Sequence, residues 1–81
     1  MDRQQIETKL REIIALRIPS LKADDIKADA DLAALGADSL AVSWIMADVE
    51  DTFEIVIRSE DIMKLQTLAT AVDYVAKRVV G

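Results

Sequence analysis

Apolar residues recur at helical spacing in two long stretches and one shorter one, with polar connections between them. From about Arg3 to Ile18, Ile6, Leu10, Ile13 and Ile14 fall on one face of a helix, and Glu7 with Arg11 forms an i,i+4 pair on the solvated side. Pro19 predicts the end of that helix, because the residue before a proline is pushed out of the α region. The connection from Pro19 to Ala37 is too long to be a bare loop in so short a chain. Leu21, Ile26, Leu32 and Leu35 are expected to pin it to the core, with a helical turn near Asp31 to Leu35 closed by Gly36. The second helix is predicted from Ser39 to about Phe53, with Val42, Ile45, Met46, Val49 and Phe53 on its buried face and Asp38 as N-cap. Its opposite face carries Leu40, Trp44, Ala47 and Asp51, two of them large apolar residues with no evident core to enter. After an extended connector from Glu54 to Ile57, Ser59 is expected to cap a brief helix, Glu60 to Lys64, with Ile62 and Met63 as its apolar content. Thr67 then caps a last helix reaching about Val79, with Leu68, Ala71, Val72, Val75 and Val79 facing the core. The expected fold is all-α, a four-helix bundle with a long first loop and a short third helix.

Composition narrows the chemistry. Eighty-one residues make one small domain, 1–81, which buries only about 60–65 % of its unfolded surface. The chain has no Cys, so it offers no disulfide, no thiolate metal site and no thiol of its own. It has no His, so the usual near-neutral general base is missing and hydrolase chemistry is disfavoured. No run approaches the roughly 18 apolar residues of a membrane span, and no signal peptide is visible; a soluble cytoplasmic protein is expected.

The net charge of −5 is unevenly spread. Between Ala28 and Ile57 there are seven acids and no Lys or Arg, and the remainder carries 8 acids against 10 bases. An acidic surface around the second helix repels nucleic acid and favours partners with basic patches. A solvated acidic face is the simpler account of the same pattern.

Ser39 is the first candidate for chemistry. An Asp-Ser pair before a helix is ordinary capping, and a catalytic serine would need a base and a nucleophile elbow that this chain lacks. As an acceptor for a covalent phosphoryl group, however, Ser39 is well placed, because a helix N-terminus stabilises an anion. Asp24, Asp25, Asp29 and Asp31 do not fit a calcium loop: the fifth position counted from Asp29 is Ala33, and the required glycine is absent. No metal site and no catalytic residue is expected. The Leu40, Trp44 and Ala47 stripe is either packed against the long loop or a partner patch with an aromatic anchor.

The run Asp31-Leu32-x-x-Leu35-Gly36-x-Asp38-Ser39-Leu40, followed by an acidic amphipathic helix ending in Phe53-Glu54-Ile55, resembles the acyl carrier proteins over nearly the whole chain. The resemblance implies that Ser39, beside Asp38, carries 4′-phosphopantetheine installed from coenzyme A by a phosphopantetheinyl transferase. The terminal thiol of that arm holds acyl groups as thioesters for enzymes of fatty-acid, polyketide-like or related lipid biosynthesis. It further implies a monomer, with Leu40, Ser43, Trp44, Ala47, Glu50 and Asp51 on the face that meets acyl-transferring or acyl-ligating enzymes with basic docking patches. Val42, Ile45, Met46, Val49, Phe53, Ile57, Leu68 and Val72 would line a core where an acyl chain is sheltered. Trp44 stands where housekeeping carriers usually have a glutamate, Ala41 replaces an acid, Val56 stands for an acid and Arg58 for a common proline. These departures point to a specialised carrier. The alternatives are an aminoacyl or peptidyl carrier, which tends to have another glycine where this chain has Ala37-Asp38, and a non-covalent acidic helical adaptor binding through Leu40 and Trp44.

Overall fold

In the computed structural model, residues 2–18, 21–36 and 38–79 are described. Three α-helices are present: α1 (Arg3–Arg17), α2 (Ser39–Phe53) and α3 (Leu68–Val79). Two 3-10 helices lie between them, Ala23–Asp25 in the long connection and Ser59–Leu65 as the short third helix of the bundle. The arrangement is the expected all-α bundle.

Each α-helix begins where a side chain can take up its free amides. Asp2 accepts from the Gln5 amide at 2.8 Å, and the Gln5 side chain accepts from the Asp2 amide at 2.9 Å. This reciprocal capping box starts α1. Thr67 Oγ1 accepts from the Thr70 amide at 3.1 Å and starts α3, as expected from sequence. At the far end of α2, Glu54 adopts φ 56°, a left-handed conformation usually left to glycine, and its N–H bonds to the Glu50 carbonyl.

The core is drawn from one stripe of each helix. Ile6, Leu10 and Ile14 of α1 meet Ile45, Val49 and Phe53 of α2 and Leu68, Val72 and Val75 of α3, all buried. Ile26 and Leu32 of the long connection are buried with them, and Leu21 and Leu35 pack partly against them. That connection is tied down by backbone bonds as well. The Leu32 amide donates to the Gln66 carbonyl at 2.8 Å, and the Ala69 amide donates to the Ala28 carbonyl at 2.8 Å. Arg11 Nε donates to the Ile26 carbonyl at 3.0 Å while its guanidinium pairs with Glu7. The long loop is therefore part of the fold, not a tether over it.

Several expectations are corrected. The first helix stops at Arg17, with Ile18 as its C-cap, and Pro19 lies outside the described residues. The third helix is 3-10 and spans Ser59–Leu65; Arg58 precedes it, and no side-chain cap from Ser59 or its neighbour is made. Ile62 and Met63 are exposed, 40 % and 75 %, whereas Asp61 and Leu65 are buried. Burial here does not follow apolar character, because Asp61 is taken in by the Tyr74 hydroxyl and Arg78 Nη2 of α3. Tyr74 joins the core because its hydroxyl finds a partner there, which its sequence position on α3 did not reveal. Val42, Met46, Ile57 and Val79 are only partly buried.

Candidate functional site

The site is the start of α2. Gly36 closes the turn begun at Asp31, with its amide donating to the Ala33 carbonyl and φ at +104°. A Cβ placed at Gly36 would meet no atom within 4 Å, so glycine is required there by backbone conformation and not by space. Ala37 lies outside the described residues. Asp38 is extended, and its Oδ1 accepts from the Ala41 amide at 2.8 Å, which makes it the expected N-cap.

Ser39 is the first residue of α2 and is exposed. Asp38 does the capping, which leaves the Ser39 side chain free of that task. Its carbonyl accepts from the Ser43 hydroxyl at 3.0 Å, so Ser43 is turned back onto the helix although it is exposed. A phosphodiester on Ser39 would lie at the positive end of the α2 dipole in open solvent, a position that fits the group electrostatically and sterically.

From Ser39 the helix face continues through Val42 to Ile45 and Met46, at i+3, i+6 and i+7. These three, with Leu32 and Ala33 of the long connection and Ile62, Met63 and Leu65 of the third helix, line an apolar cavity of about 190 Å³; Asp31 and Gln66 complete its lining. The start of the helix and the lining of the apolar cavity are thus linked along α2 through Val42.

The opposite face of α2 carries Leu40 (65 % exposed), Trp44 (49 % exposed) and the exposed Ala47 and Asp51. Trp44 is not folded onto the loop as a core residue. It lies under the Arg17 guanidinium of α1, whose Cζ is 4.9 Å from the ring centroid. Arg17 also grips Asp48 with two hydrogen bonds, Nε to Oδ2 at 2.7 Å and Nη2 to Oδ1 at 3.0 Å. Those hydrogen bonds hold the Asp48 carboxyl below the usual carboxylate range, against the opposing effect of burial, and hold Arg17 above its ordinary value. Arg17, Asp38, Leu40 and Trp44 edge a shallow depression beside the start of α2.

Arg17 is the residue that reading the sequence missed. The stretch 28–57 has no base, but its folded surface has one, supplied by α1. The signal was present: Arg17 is four residues after buried Ile13 and so borders the apolar stripe of α1. Glu50 is likewise not a simple surface charge. It is half-buried, and its Oε2 accepts from the Ile57 amide at 2.8 Å, which holds the connector after α2 in place. Among the described residues, no group of three or more His, Cys, Asp or Glu is placed to hold a metal ion, and no helix is long and apolar enough to cross a membrane.

Two predictions follow from these contacts. Trp44→Glu removes an exposed cation–π contact worth about 0.5–1 kcal/mol, which lowers Tm by no more than about 8 °C in a domain of this size. A melting curve decides it; a much larger drop would mean that Trp44 acts as a core residue. The second concerns acid. Asp48 and Asp61 are both held below the ordinary carboxylate value, Asp48 by Arg17 and Asp61 first by the hydrogen bond from Tyr74. A folded-state value below the unfolded one gives stability that is complete above about pH 4–5 and lost as pH falls through the folded values. Tm measured from pH 7 to about pH 2.5 is expected to fall on this acid limb, and less steeply in Asp48→Asn and Asp61→Asn. Parallel limbs in all three proteins would refute the assignment.

Comparison with known proteins supports what this geometry suggests. The family model described as the phosphopantetheine attachment site matches residues 8–75. An acyl carrier protein of Desulforapulum autotrophicum is 34 % identical over 74 residues, covering 90 % of this chain and 96 % of its own. One of Chlorobium phaeobacteroides is 33 % identical over 79 residues, covering 96 % of this chain and 100 % of its own. One of Syntrophus aciditrophicus is 31 % identical over 73 residues, with 90 % and 91 % covered. The chain therefore belongs to the phosphopantetheine-attachment family, as an acyl carrier protein and not a catalyst, whose arm a phosphopantetheinyl transferase installs and acyl-handling enzymes load and unload.

Proposed function

We propose that the 81 residues act as a single carrier domain in which Ser39 bears the phosphopantetheine arm. The observation that carries this reading is the exposed Ser39 at the first position of α2, one helical turn before Val42 at the apolar cavity. Asp38 sets the start of the helix and keeps Ser39 free of capping duty. A thioester-bound acyl chain carried on this arm enters the cavity between α2, the long connection and the 3-10 helix, where its methylenes leave water.

Partner enzymes dock on the other face, through Leu40, Ser43, Trp44, Ala47 and Asp51, with Glu50 at the edge. Leu40 and Trp44 supply apolar anchors, and Asp51 supplies charge for a basic patch. Asp48 is already engaged by Arg17, so this face offers less free negative charge than its sequence suggests. A docking surface of this kind suits an enzyme with an apolar recess beside its basic residues. It favours a dedicated pathway of fatty-acid, polyketide-like or related lipid biosynthesis in the cytoplasm, with the carrier acting as a monomer.

The test is mass spectrometry of the protein isolated from its native host with the thioester preserved. A phosphopantetheine fragment on the peptide containing Ser39, bearing an acyl group, is the expected result. The arm on another residue, or an aminoacyl group on the thiol, would overturn the corresponding part of this reading.

A further inference from the structure

The Ser59–Leu65 3-10 helix is one wall of the apolar cavity. It contributes Ile62, Met63 and Leu65 to the lining, and only Leu65 of these is buried. Short 3-10 helices have poor hydrogen-bond geometry and little stability of their own. This one has no side-chain cap at its start. Its position therefore depends on the side chains that join it to α3.

The join is made by Asp61, the one buried charged residue among those described. Its Oδ2 accepts from the Tyr74 hydroxyl at 2.8 Å and from Arg78 Nη2 at 3.2 Å, both on α3. Its Oδ1 pairs with Lys64 Nζ at 3.2 Å, within the 3-10 helix. The Arg78 guanidinium lies over the Tyr74 ring, 3.9 Å from its centroid, so the two donors hold each other in place. With three residues per turn, Asp61 and Lys64 form one strip of the short helix, and Ile62 and Leu65 form the next. The carboxylate latch and the cavity wall are adjacent strips of one short helix.

We propose that Asp61 is a positioning residue for acyl-chain selection. By latching the Ser59–Leu65 helix to Tyr74 and Arg78, it sets how far the Ile62 and Met63 wall yields, and so the length of chain the carrier shelters. This rests on the reading of the cavity as the acyl site. Asp61 touches no chain and acts through Ile62 and Met63. At about 190 Å³ the cavity is smaller than an ordinary small-molecule pocket. A long chain must therefore displace a wall, and the 3-10 helix lines the cavity with two exposed side chains, Ile62 and Met63.

Asp61→Asn keeps the size and one acceptor for Tyr74 but removes the charge that holds Arg78 and Lys64; Tyr74→Phe removes one donor and leaves the ion pairs. Two measurements test the proposal. Methionine methyl NMR of the protein without its arm is expected to show the Met63 resonance displaced in both variants. Tm is then measured for the phosphopantetheine form and for forms loaded with saturated acyl chains of increasing length, each verified by intact mass. In the wild type the stabilisation from acylation rises with chain length and levels off. In Asp61→Asn it levels off at a longer chain.

An equal Tm offset in every form, with the levelling point unchanged, would show that Asp61 only stabilises the fold and overturn the proposal. An unmoved Met63 resonance would overturn it as well. Absence of chain-length dependence in the wild type would overturn both this proposal and the cavity reading. Failure of the arm to appear in the mass spectrum strikes the Ser39 assignment alone, because the methyl measurement does not depend on loading.

Discussion

Ser39→Ala is expected to abolish the mass gain that the wild-type chain acquires on incubation with coenzyme A and a broad-specificity phosphopantetheinyl transferase, and to leave the melting temperature nearly unchanged. On the proposed assignment the loss is complete, because the hydroxyl oxygen would be the atom to which the phosphoryl group becomes bonded. The fold is spared for three reasons. Ser39 is exposed, Asp38 and not Ser39 caps the helix, and the bond from Ser43 goes to the Ser39 backbone carbonyl. Exposed substitutions away from such features change stability by about 0.5 kcal/mol or less. Intact mass and a melting curve on the same two samples check both halves. A variant that still gains the arm would place the attachment elsewhere, and a large fall in Tm would give Ser39 a structural role that its surroundings do not show.

Leu10→Ala has the opposite signature, with the attachment residue untouched and the bundle close to unfolding. Leu10 is 1 % exposed, in the middle of α1, among buried side chains from all three α-helices. Truncating a buried leucine costs about 2–5 kcal/mol, the transfer term plus the cavity left behind. A chain of this length has only about 4–12 kcal/mol of stability in all. Tm is expected to fall by at least about 8 °C, since 1 kcal/mol corresponds to about 4–8 °C here. Denaturation followed by circular dichroism measures it. A fall of only a few degrees would mean that α1 repacks, and that the core is less tightly specified than its burial indicates.

These two residues also mark how far the chain could be read before its structure. Leu10 was legible because an amphipathic helix repeats its apolar positions, and that period survives folding unchanged. The same logic placed Ile6, Ile14, Ile45, Val49 and Phe53 in the core, and all are buried. Asp38 was legible because capping is local: a carboxylate reaches amides three residues on regardless of the rest of the fold. Gly36 was legible for the same local reason, its positive φ.

The third helix was read less well. Ile62 and Met63 were named as the apolar content of this helix and are exposed, whereas Asp61 and Leu65 are buried. Asp61 could not have been recognised. An acid is placed in a protein interior only where donors await it, and these come from Tyr74 and Arg78, 13 and 17 residues further along the chain. Arg17 differs in part: its place beside the apolar stripe of α1 was legible, but its partners Asp48 and Trp44 belong to another helix.

The division follows the range of the interactions. The three α-helices, the caps at Asp38 and Thr67, the turn at Gly36 and the exposed serine after Asp38 depend on neighbours within a few residues, so the sequence alone was enough to place them. Packing decided which charges remain free on α2, where the apolar cavity opens and what holds its outer wall. Those features depend on side chains from separate helices meeting at hydrogen-bonding distance. No local pattern encodes such meetings, because they come into being only when α1, α2 and α3 are brought together around one core.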